Sequence, residues 1–396
     1  MFKKIFRFLF ILIVKLFLYP YTFFFQNVRF KYNKNKLPKG NFVLIGNHQS
    51  NWDGVWANLM FPFRFIHFIV NDELFRNKFG RVLLGSILQQ IKRGVSINDI
   101  SGVRKLIEVK KEGKNIGIYP EGDIAYWNTN LSITTAIAKL LKGLKLPIVF
   151  VRIEGARIRS PRWANMPYRA RPTYSLNRVM DIDELGQLDV ESLYEIIKKE
   201  IAYDDNKWQI ENKVKVIGFN RAENLERGLY VCPNCKSFET LHSKKHTLGC
   251  EKCGYTVDHN RLFQFVSNKN DVIYDNVNDW EVFQTQELYS SIDSNIEKVI
   301  LEAKNIWMAH TSERLPFSYK KKVKGNIYLY KNRLIFDDLN QKFEFRFSET
   351  YQEALNFKQT LEMRLKGEVY RFEKKVPWSA YMWVRAIRYL KENDDI

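Results

Sequence analysis

The sequence predicts an α/β domain first, then a four-cysteine ribbon, then a β-rich α+β segment, and three observations carry that order. Two short apolar runs, Asn41 to Gly46 and Ile116 to Ile118, each read as a strand and each lead into a polar loop. Four cysteines, and no others, stand as two Cys-x2-Cys knuckles. Beyond about residue 260, short alternating runs separated by turn residues replace the earlier pattern. A chain of 396 residues has room for two or three domains. The expected divisions are a membrane-associating helical segment over 1–39, the α/β domain over 40–217, the ribbon over 218–260 and the β-rich domain over 261–396.

The amino terminus sets the location. Residues 1 to 52 contain no Asp or Glu, and nine basic residues precede Gly40: Lys3, Lys4, Arg7, Lys15, Arg29, Lys31, Lys34, Lys36 and Lys39. The longest run free of charge and proline, Phe8 to Val14, is far short of the roughly 20 apolar residues that span a bilayer. Lys15 and Pro20 interrupt its extension. Aromatic and basic flanks therefore predict a helix or helical hairpin lying in the membrane interface, with a single-span anchor as the alternative. A cleaved signal peptide fits less well, because Tyr, Pro, Thr and Phe follow the apolar core where small residues are needed. The net charge of +19, from 63 Lys+Arg against 44 Asp+Glu, draws anionic partners without choosing among them. The hydrophobic start chooses the anionic membrane surface over nucleic acid. The location expected is the cytoplasmic face of the cell membrane, peripheral or monotopic.

The first polar loop, Asn47-His48-Gln49-Ser50-Asn51-Trp52-Asp53, places a histidine and an aspartate five apart directly after a strand. A hydroxyl is a poor nucleophile near neutral pH, and a histidine that takes its proton accelerates attack by roughly 10²- to 10⁴-fold. One ring nitrogen must face the hydroxyl while an acceptor holds the other, and Asp53 is close enough in sequence to be that acceptor. Such a pair often only satisfies local hydrogen bonds. The second loop, Tyr119-Pro120-Glu121-Gly122-Asp123, also follows a strand end, and Pro-Glu-Gly alone reads as an ordinary turn. Two polar loops after two strands stand where open α/β sheets place their sites.

Together, in this order and about seventy residues apart, the loops resemble the blocks of the glycerolipid acyltransferase family of lysophosphatidate type. Its Asn-His-x4-Asp block is matched by Asn47, His48 and Asp53, and its Phe-Pro-Glu-Gly block by Tyr119, Pro120, Glu121 and Gly122. Gly85 through Arg93 is similar to an intervening segment that ends in arginine, and Leu146 to Val151 to an apolar strand that contains a proline near its start. The resemblance covers about residues 40 to 190. It implies a mixed sheet flanked by helices, His48 as base and Asp53 as its orienter. It further implies Asn47, Glu121 and Gly122 in substrate binding, Arg93 as a phosphate contact, and acyl-CoA or acyl-carrier protein as donor to a lyso-lipid acceptor in phospholipid biosynthesis. One departure bears on the acceptor. Family members usually follow Pro-Glu-Gly with Thr or Ser and then Arg, whereas this chain has Asp123 and Ile124. Other phosphate contacts are then sought among Arg152, Arg157, Arg159, Arg162, Arg169 and Arg171, with Arg159 as the candidate.

Cys232, Cys235, Cys250 and Cys253 read as a tetrahedral thiolate site for a structural Zn2+, the fourteen residues between the knuckles falling just under the usual ribbon spacing. Thiolates that bind metal must stay reduced, which suits a cytosol-facing domain. Four protein ligands leave no open position, so no catalytic work falls to the metal. His242 and His246 lie between the knuckles and read as exposed loop residues. Asp189 to Tyr203 has helical spacing, and Asp204 to Lys207 and Gly218 to Arg227 read as connections. Past the ribbon, a hairpin around Lys331-Asn332, the run Lys342 to Phe347 and a helix over Trp378 to Lys391 suggest a small barrel or sandwich of pleckstrin-homology type. Lys320, Lys321, Lys322 and Lys324 read as a solvated run or a head-group contact there. Two rival readings remain, a lipid-binding scaffold without catalysis and a basic zinc-ribbon module for nucleic acid.

Overall fold

The computed structural model describes residues 2–31, 37–70, 72–75, 78–92, 100–127, 129–312, 322–356, 359–374 and 378–393. They form two compact units, Met1–Pro161 with Pro167–Ile217, and Arg162–Met166 with Gly218–Ile396.

The first unit carries helix α1 (Phe2–Pro20), strands β1 (Arg29–Lys31) and β2 (Val43–Gly46), helix α2 (Asp53–Met60), β3 (Ile66–Val70), α3 (Lys78–Gly80), β4 (Ile91–Lys92) and α4 (Ile100–Lys111). There follow β5 (Asn115–Ile118), α5 (Ala136–Leu144), β6 (Ile148–Glu154), α6 (Ala156–Arg159), β7 (Thr173–Met180), α7 (Ile182–Gln187), α8 (Val190–Ile201) and α9 (Asp205–Glu211). The sheet order is β1-β7-β6-β2-β5-β3-β4. Only β6 and β7 pair antiparallel; the other neighbours run parallel, giving the mixed sheet expected. Because strand side chains alternate, β2 is apolar on both faces. Val43 and Ile45 meet Leu141 of α5 and Leu193 and Ile197 of α8, while Leu44 meets Trp56, Leu59 and Met60 of α2.

The amino terminus differs from the sequence expectation. Helix α1 runs on into a π-helical turn, Tyr21–Phe25, and Ile5–Phe25 is long and apolar enough to cross a membrane. Pro20 is accommodated where the helix widens, with Gln26 N–H reaching back to the Tyr21 carbonyl. Lys15 does not break the helix because its ammonium is bonded to the carbonyls of Phe61 and Arg64, at 2.9 and 2.8 Å. Ile11 and Thr22 are buried and Leu18 packs on the core, so one stripe of the helix faces the domain. Phe6, Leu16, Phe17 and Phe24 on its other faces are more than 70% exposed.

In the second unit, the cysteine knuckles belong to a four-stranded antiparallel sheet of β8 (Leu241–Lys244), β9 (Thr247–Cys250), β10 (Thr256–His259) and β11 (Phe265–Val266). The sheet runs past the boundary expected at 260, because β11 pairs with the open edge of β10. His242 is exposed but lies on β8 in place of a loop, and His246, in the turn between β8 and β9, is half-buried and accepts the Arg221 N–H at 3.3 Å. Helix α10 (Val277–Ser294) follows, then a seven-stranded antiparallel sheet and helix α11 (Ala380–Asn393). The seven strands are β12 (Leu301–Ser312), β13 (Val323–Tyr330), β14 (Arg333–Asp337), β15 (Lys342–Arg346), β16 (Thr350–Asn356), β17 (Thr360–Leu365) and β18 (Glu368–Glu373). Tyr330 pairs with Arg333 across Lys331-Asn332, the hairpin read from sequence. Lys322 binds Glu373 at 2.7 Å and Lys324 is exposed, while Lys320 and Lys321 lie outside the described residues.

Two buried histidines make the fold acid-sensitive. His67 lies against the Gln89 carbonyl and His259 against that of Arg221, at 2.9 and 3.1 Å, and burial pulls both down to about 4. The unfolded imidazole takes a proton near 6.5 and the folded one does not, so their stabilisation is complete above about pH 6.5 and is lost as pH falls toward 4. Each contributes on the order of 3 kcal/mol across that window. Urea midpoints of wild type and His67→Gln at pH 7.5 and 4.5 check this: the wild type should lose more stability on acidification than the variant, and equal losses would contradict it.

Candidate active site

Strands β2 and β5 are parallel neighbours, with Ile45 paired to Ile118. Both polar loops therefore leave the same end of the sheet, side by side. The His48 Nδ1 stands 2.9 Å from Asp53 Oδ2. That oxygen also accepts the backbone N–H groups of Gln49 and Ser50, at 2.6 and 2.9 Å, and Oδ1 accepts the Tyr174 hydroxyl at 2.6 Å. A carboxylate surrounded by donors accepts from Nδ1 as well, which leaves the His48 Nε2 lone pair for a substrate proton. Asp53 is fully buried and opens α2, where the positive end of the helix favours its charge. The His48 side chain keeps 20% exposure, enough to be reached.

The backbone of His48 is held from both sides. Its N–H donates to Glu121 Oε1 at 2.8 Å, and its carbonyl lies 3.4 Å from Arg157 Nη2. Arg157 in turn binds Asp205 at 3.0 Å, both fully buried. Gln49 closes the network, accepting the Ala156 N–H at 3.0 Å and donating to Asp205 at 3.4 Å. Burial drives the Asp205 carboxyl up to about 7 against the pull of Arg157. The stretch Asp204 to Lys207, read from sequence as a connection, is instead the capped start of α9, with Asp204 accepting the N–H groups of Asn206 and Lys207.

The imidazole plane is set by stacking. His48 lies on Tyr119 at 4.5 Å and 8°, and Tyr119 lies on Phe68 at 5.1 Å and 9°. A Cβ at Gly117 would fall 2.3 Å from the Phe68 ring, so this glycine makes room for the stack, and one at Gly46 would fall 2.9 Å from the Val151 carbonyl and 3.3 Å from the Tyr119 ring. The Tyr119 hydroxyl is buried without a partner, and burial raises its pKa well above the usual tyrosine value, so it stays protonated. An unmet buried hydroxyl costs about 1–3 kcal/mol. Tyr119→Phe is accordingly expected to raise stability by about 1 kcal/mol with kcat unchanged, and Tyr119→Leu to lower kcat about tenfold. Melting curves and initial rates on the three proteins check this; a slow Phe variant would shift the role to the hydroxyl.

The residues expected from sequence to contact substrate are placed as follows. Asn47 is buried, with both amide groups spent on the Ile153 backbone at 2.7 and 2.8 Å, so it pins the loop to β6. Glu121 is buried too, accepting from His48 N–H, Asn130 Nδ2 and Leu131 N–H, each at 2.8 Å. Desolvation pushes its carboxyl up. It clamps the loop. Gly122 is exposed, at a φ of 69° that closes the turn through its N–H to the Tyr119 carbonyl. Arg159, the expected phosphate contact, is buried and donates to Gln26 Oε1 and the Tyr168 carbonyl, at 3.1 and 3.0 Å. Arg93 lies outside the described residues. Asp123 is exposed on the turn. Tyr174, Arg157, Asp205 and Gln49, which surround the His48–Asp53 pair, carry no sequence signal that joins them to it, since their partners lie up to 156 residues away.

The four cysteine sulfurs lie within 4.8 Å of one another, with Cys232 to Cys253 at 3.6 Å and Cys235 to Cys250 at 3.8 Å. Metal–sulfur bonds of about 2.3 Å in a tetrahedron demand sulfur separations of about 3.8 Å. The donor set fits a tetrahedral metal ion.

Parallel strands whose polar loops gather at their carboxyl ends define an α/β enzyme domain. Residues 28–154 match the family model described as Acyltransferase. This part of the chain is an acyltransferase domain, as the two sequence blocks led us to expect. A solved structure, the 1-acyl-sn-glycerophosphate (LPA) acyltransferase PlsC from Thermotoga maritima, is similar over 49% of this chain and 74% of its own, with 21% identity and a TM-score of 0.40. No curated protein matches the chain.

Proposed function

We propose that the protein is a membrane-surface O-acyltransferase that moves a fatty acyl group from acyl-CoA or acyl-carrier protein to the hydroxyl of a lyso-glycerophospholipid or related lipid. The observation that carries the reading is the 2.9 Å contact between His48 and a buried, fully hydrogen-bonded Asp53. His48 Nε2 takes the acceptor proton as the oxygen attacks the thioester carbonyl. Asp53 holds the tautomer and balances the imidazolium that forms. The tetrahedral intermediate then collapses, the C–S bond breaks, and the thiolate leaves with the proton returned from His48. No enzyme nucleophile is required.

The exposed apolar faces of α1 seat the domain on an anionic bilayer. Since Lys15, near the middle of that helix, is tied to the loop after α2, a helix standing across the bilayer would drag polar backbone into the hydrocarbon; lying in the interface avoids that cost. The cysteine cluster holds structural zinc and takes no part in the chemistry, because its four ligands leave no open position. The exposed Asp123 carboxylate on the turn opposes a phosphate monoester and widens the acceptor class to other lyso-lipids and glycolipids.

The test is thiol release by purified full-length protein on anionic vesicles, with lysophosphatidate and then a pooled lyso-lipid extract as acceptors. Release with lysophosphatidate means Asp123 is tolerated; release only with the extract keeps the mechanism and changes the acceptor. No transfer with either acyl-CoA or acyl-carrier protein as donor would overturn the reading in favour of a lipid-binding scaffold.

A further inference from the structure

Asp53 is the first residue of α2, an eight-residue helix, and the far end of that helix is held by α1. The Lys15 ammonium donates to the carbonyls of Phe61, Arg64 and Pro62, at 2.9, 2.8 and 3.4 Å, and lies 5.8 Å from the centre of the Phe65 ring. The last carbonyls of a helix lack partners along the helix and carry its negative end, so a cation is the fitting cap. A lysine is nonetheless an expensive choice on the face of an apolar helix that packs against a core. Leucine would pack there without desolvating a charge.

The captured loop is also tied to the other half of the site. Arg64 donates to the carbonyls of Pro38, Lys39 and Gly40, at 2.9, 2.9 and 2.5 Å, in the segment that leads into β2 and so to His48. Between the two ends, Asn58 bridges the Gly54 and Ile66 carbonyls at 2.9 and 3.1 Å and accepts the Ile66 N–H at 2.8 Å. The base and its orienting carboxylate thus hang on two elements that meet at one loop, and that loop is gripped by the membrane helix.

We propose that Lys15 is a positioning residue: by fixing the carboxyl end of α2 to α1 it sets Asp53, and through it the His48 ring, so that the membrane-seated helix and the catalytic pair form one rigid body. The consequence for turnover rests on the acyl-transfer reading. The rigidity itself does not.

The experiment uses the full chain on vesicles of phosphatidylcholine and phosphatidylglycerol, comparing wild type with Lys15→Met and Lys15→Arg. Hydrogen exchange at the amides of 53–60 should accelerate at least tenfold in Lys15→Met, with β6 and vesicle flotation unchanged, and return most of the way in Lys15→Arg. Thioester consumption should fall about tenfold in kcat with the donor KM unchanged, and recover in Lys15→Arg. Unchanged protection of 53–60 would overturn the proposal, as would kcat within twofold of wild type despite faster exchange. Loss of flotation with kcat in detergent micelles intact would assign the lysine to docking and overturn it too. If the wild type consumes no thioester, the exchange data still decide the rigid link, and the enzymatic reading alone fails.

Discussion

His48→Ala is expected to reduce acyl transfer by about 10²- to 10⁴-fold, with folding and metal content preserved. The loss is chemical because the imidazole is the group of this site that offers a free lone pair: its Nδ1 is committed to Asp53, and the surrounding carboxylates are committed to backbone and side-chain donors. The fold should tolerate the change. Asp53 keeps the N–H groups of Gln49 and Ser50 and the Tyr174 hydroxyl when the ring is removed, so no buried carboxylate is stranded. Asp53→Ala is a poorer probe, since it orphans two backbone N–H groups and a buried phenol together. Initial rates, circular dichroism and metal content on His48→Ala decide the matter, and transfer near the wild-type rate would refute the assignment of the base.

Stripping the metal from the cysteine cluster is expected to unfold the ribbon sheet. Metal-linked folding energy in such small domains is on the order of 10 kcal/mol, and β8 to β11 are four strands of two to four residues each, too few to bury a sufficient core. The second sphere is already arranged for anionic sulfur. Thr240 Oγ1 stands 3.2 Å from Cys250 Sγ, and Asn234 Nδ2 stands 3.5 Å from Cys253 Sγ. Elemental analysis should find one zinc per chain. A chelator, or Cys232→Ser, should open residues 218–266 to proteolysis; a zinc-free preparation with the same cleavage pattern as a zinc-loaded one would defeat the structural assignment.

What the sequence disclosed was local. The strand before each loop, the five-residue spacing of His48 and Asp53, and the cysteine knuckles are all carried by neighbours in the chain, and each is found in the structure. The bonds that Asn47, Glu121 and Arg159 make are not legible in sequence, because polar side chains beside a histidine look alike there whether they face substrate or brace backbone. Their partners, Ile153, Leu131 and Gln26, are set by tertiary packing. Helix α1 was read as too short because Lys15 was counted as a break, and the carbonyls that accept its charge come from residues almost fifty positions later. Helix α10 escaped notice because Gln284 sits in its apolar stripe with Trp280 and Leu288. Its amide is satisfied by Gly228 and Tyr230, far back in the chain.

The Glu121 clamp has a consequence for how such a site can change. Its carboxylate fastens the start of the second loop to His48 and, through Asn130 and Leu131, fastens the loop's other end to the same point. Whatever lies between is a bridge with both footings fixed. Ala125, Tyr126 and Trp127 are buried and brace the bridge from within, whereas Asp123 is exposed on it, so a change at Asp123 leaves both footings, and with them the backbone of His48, where they are.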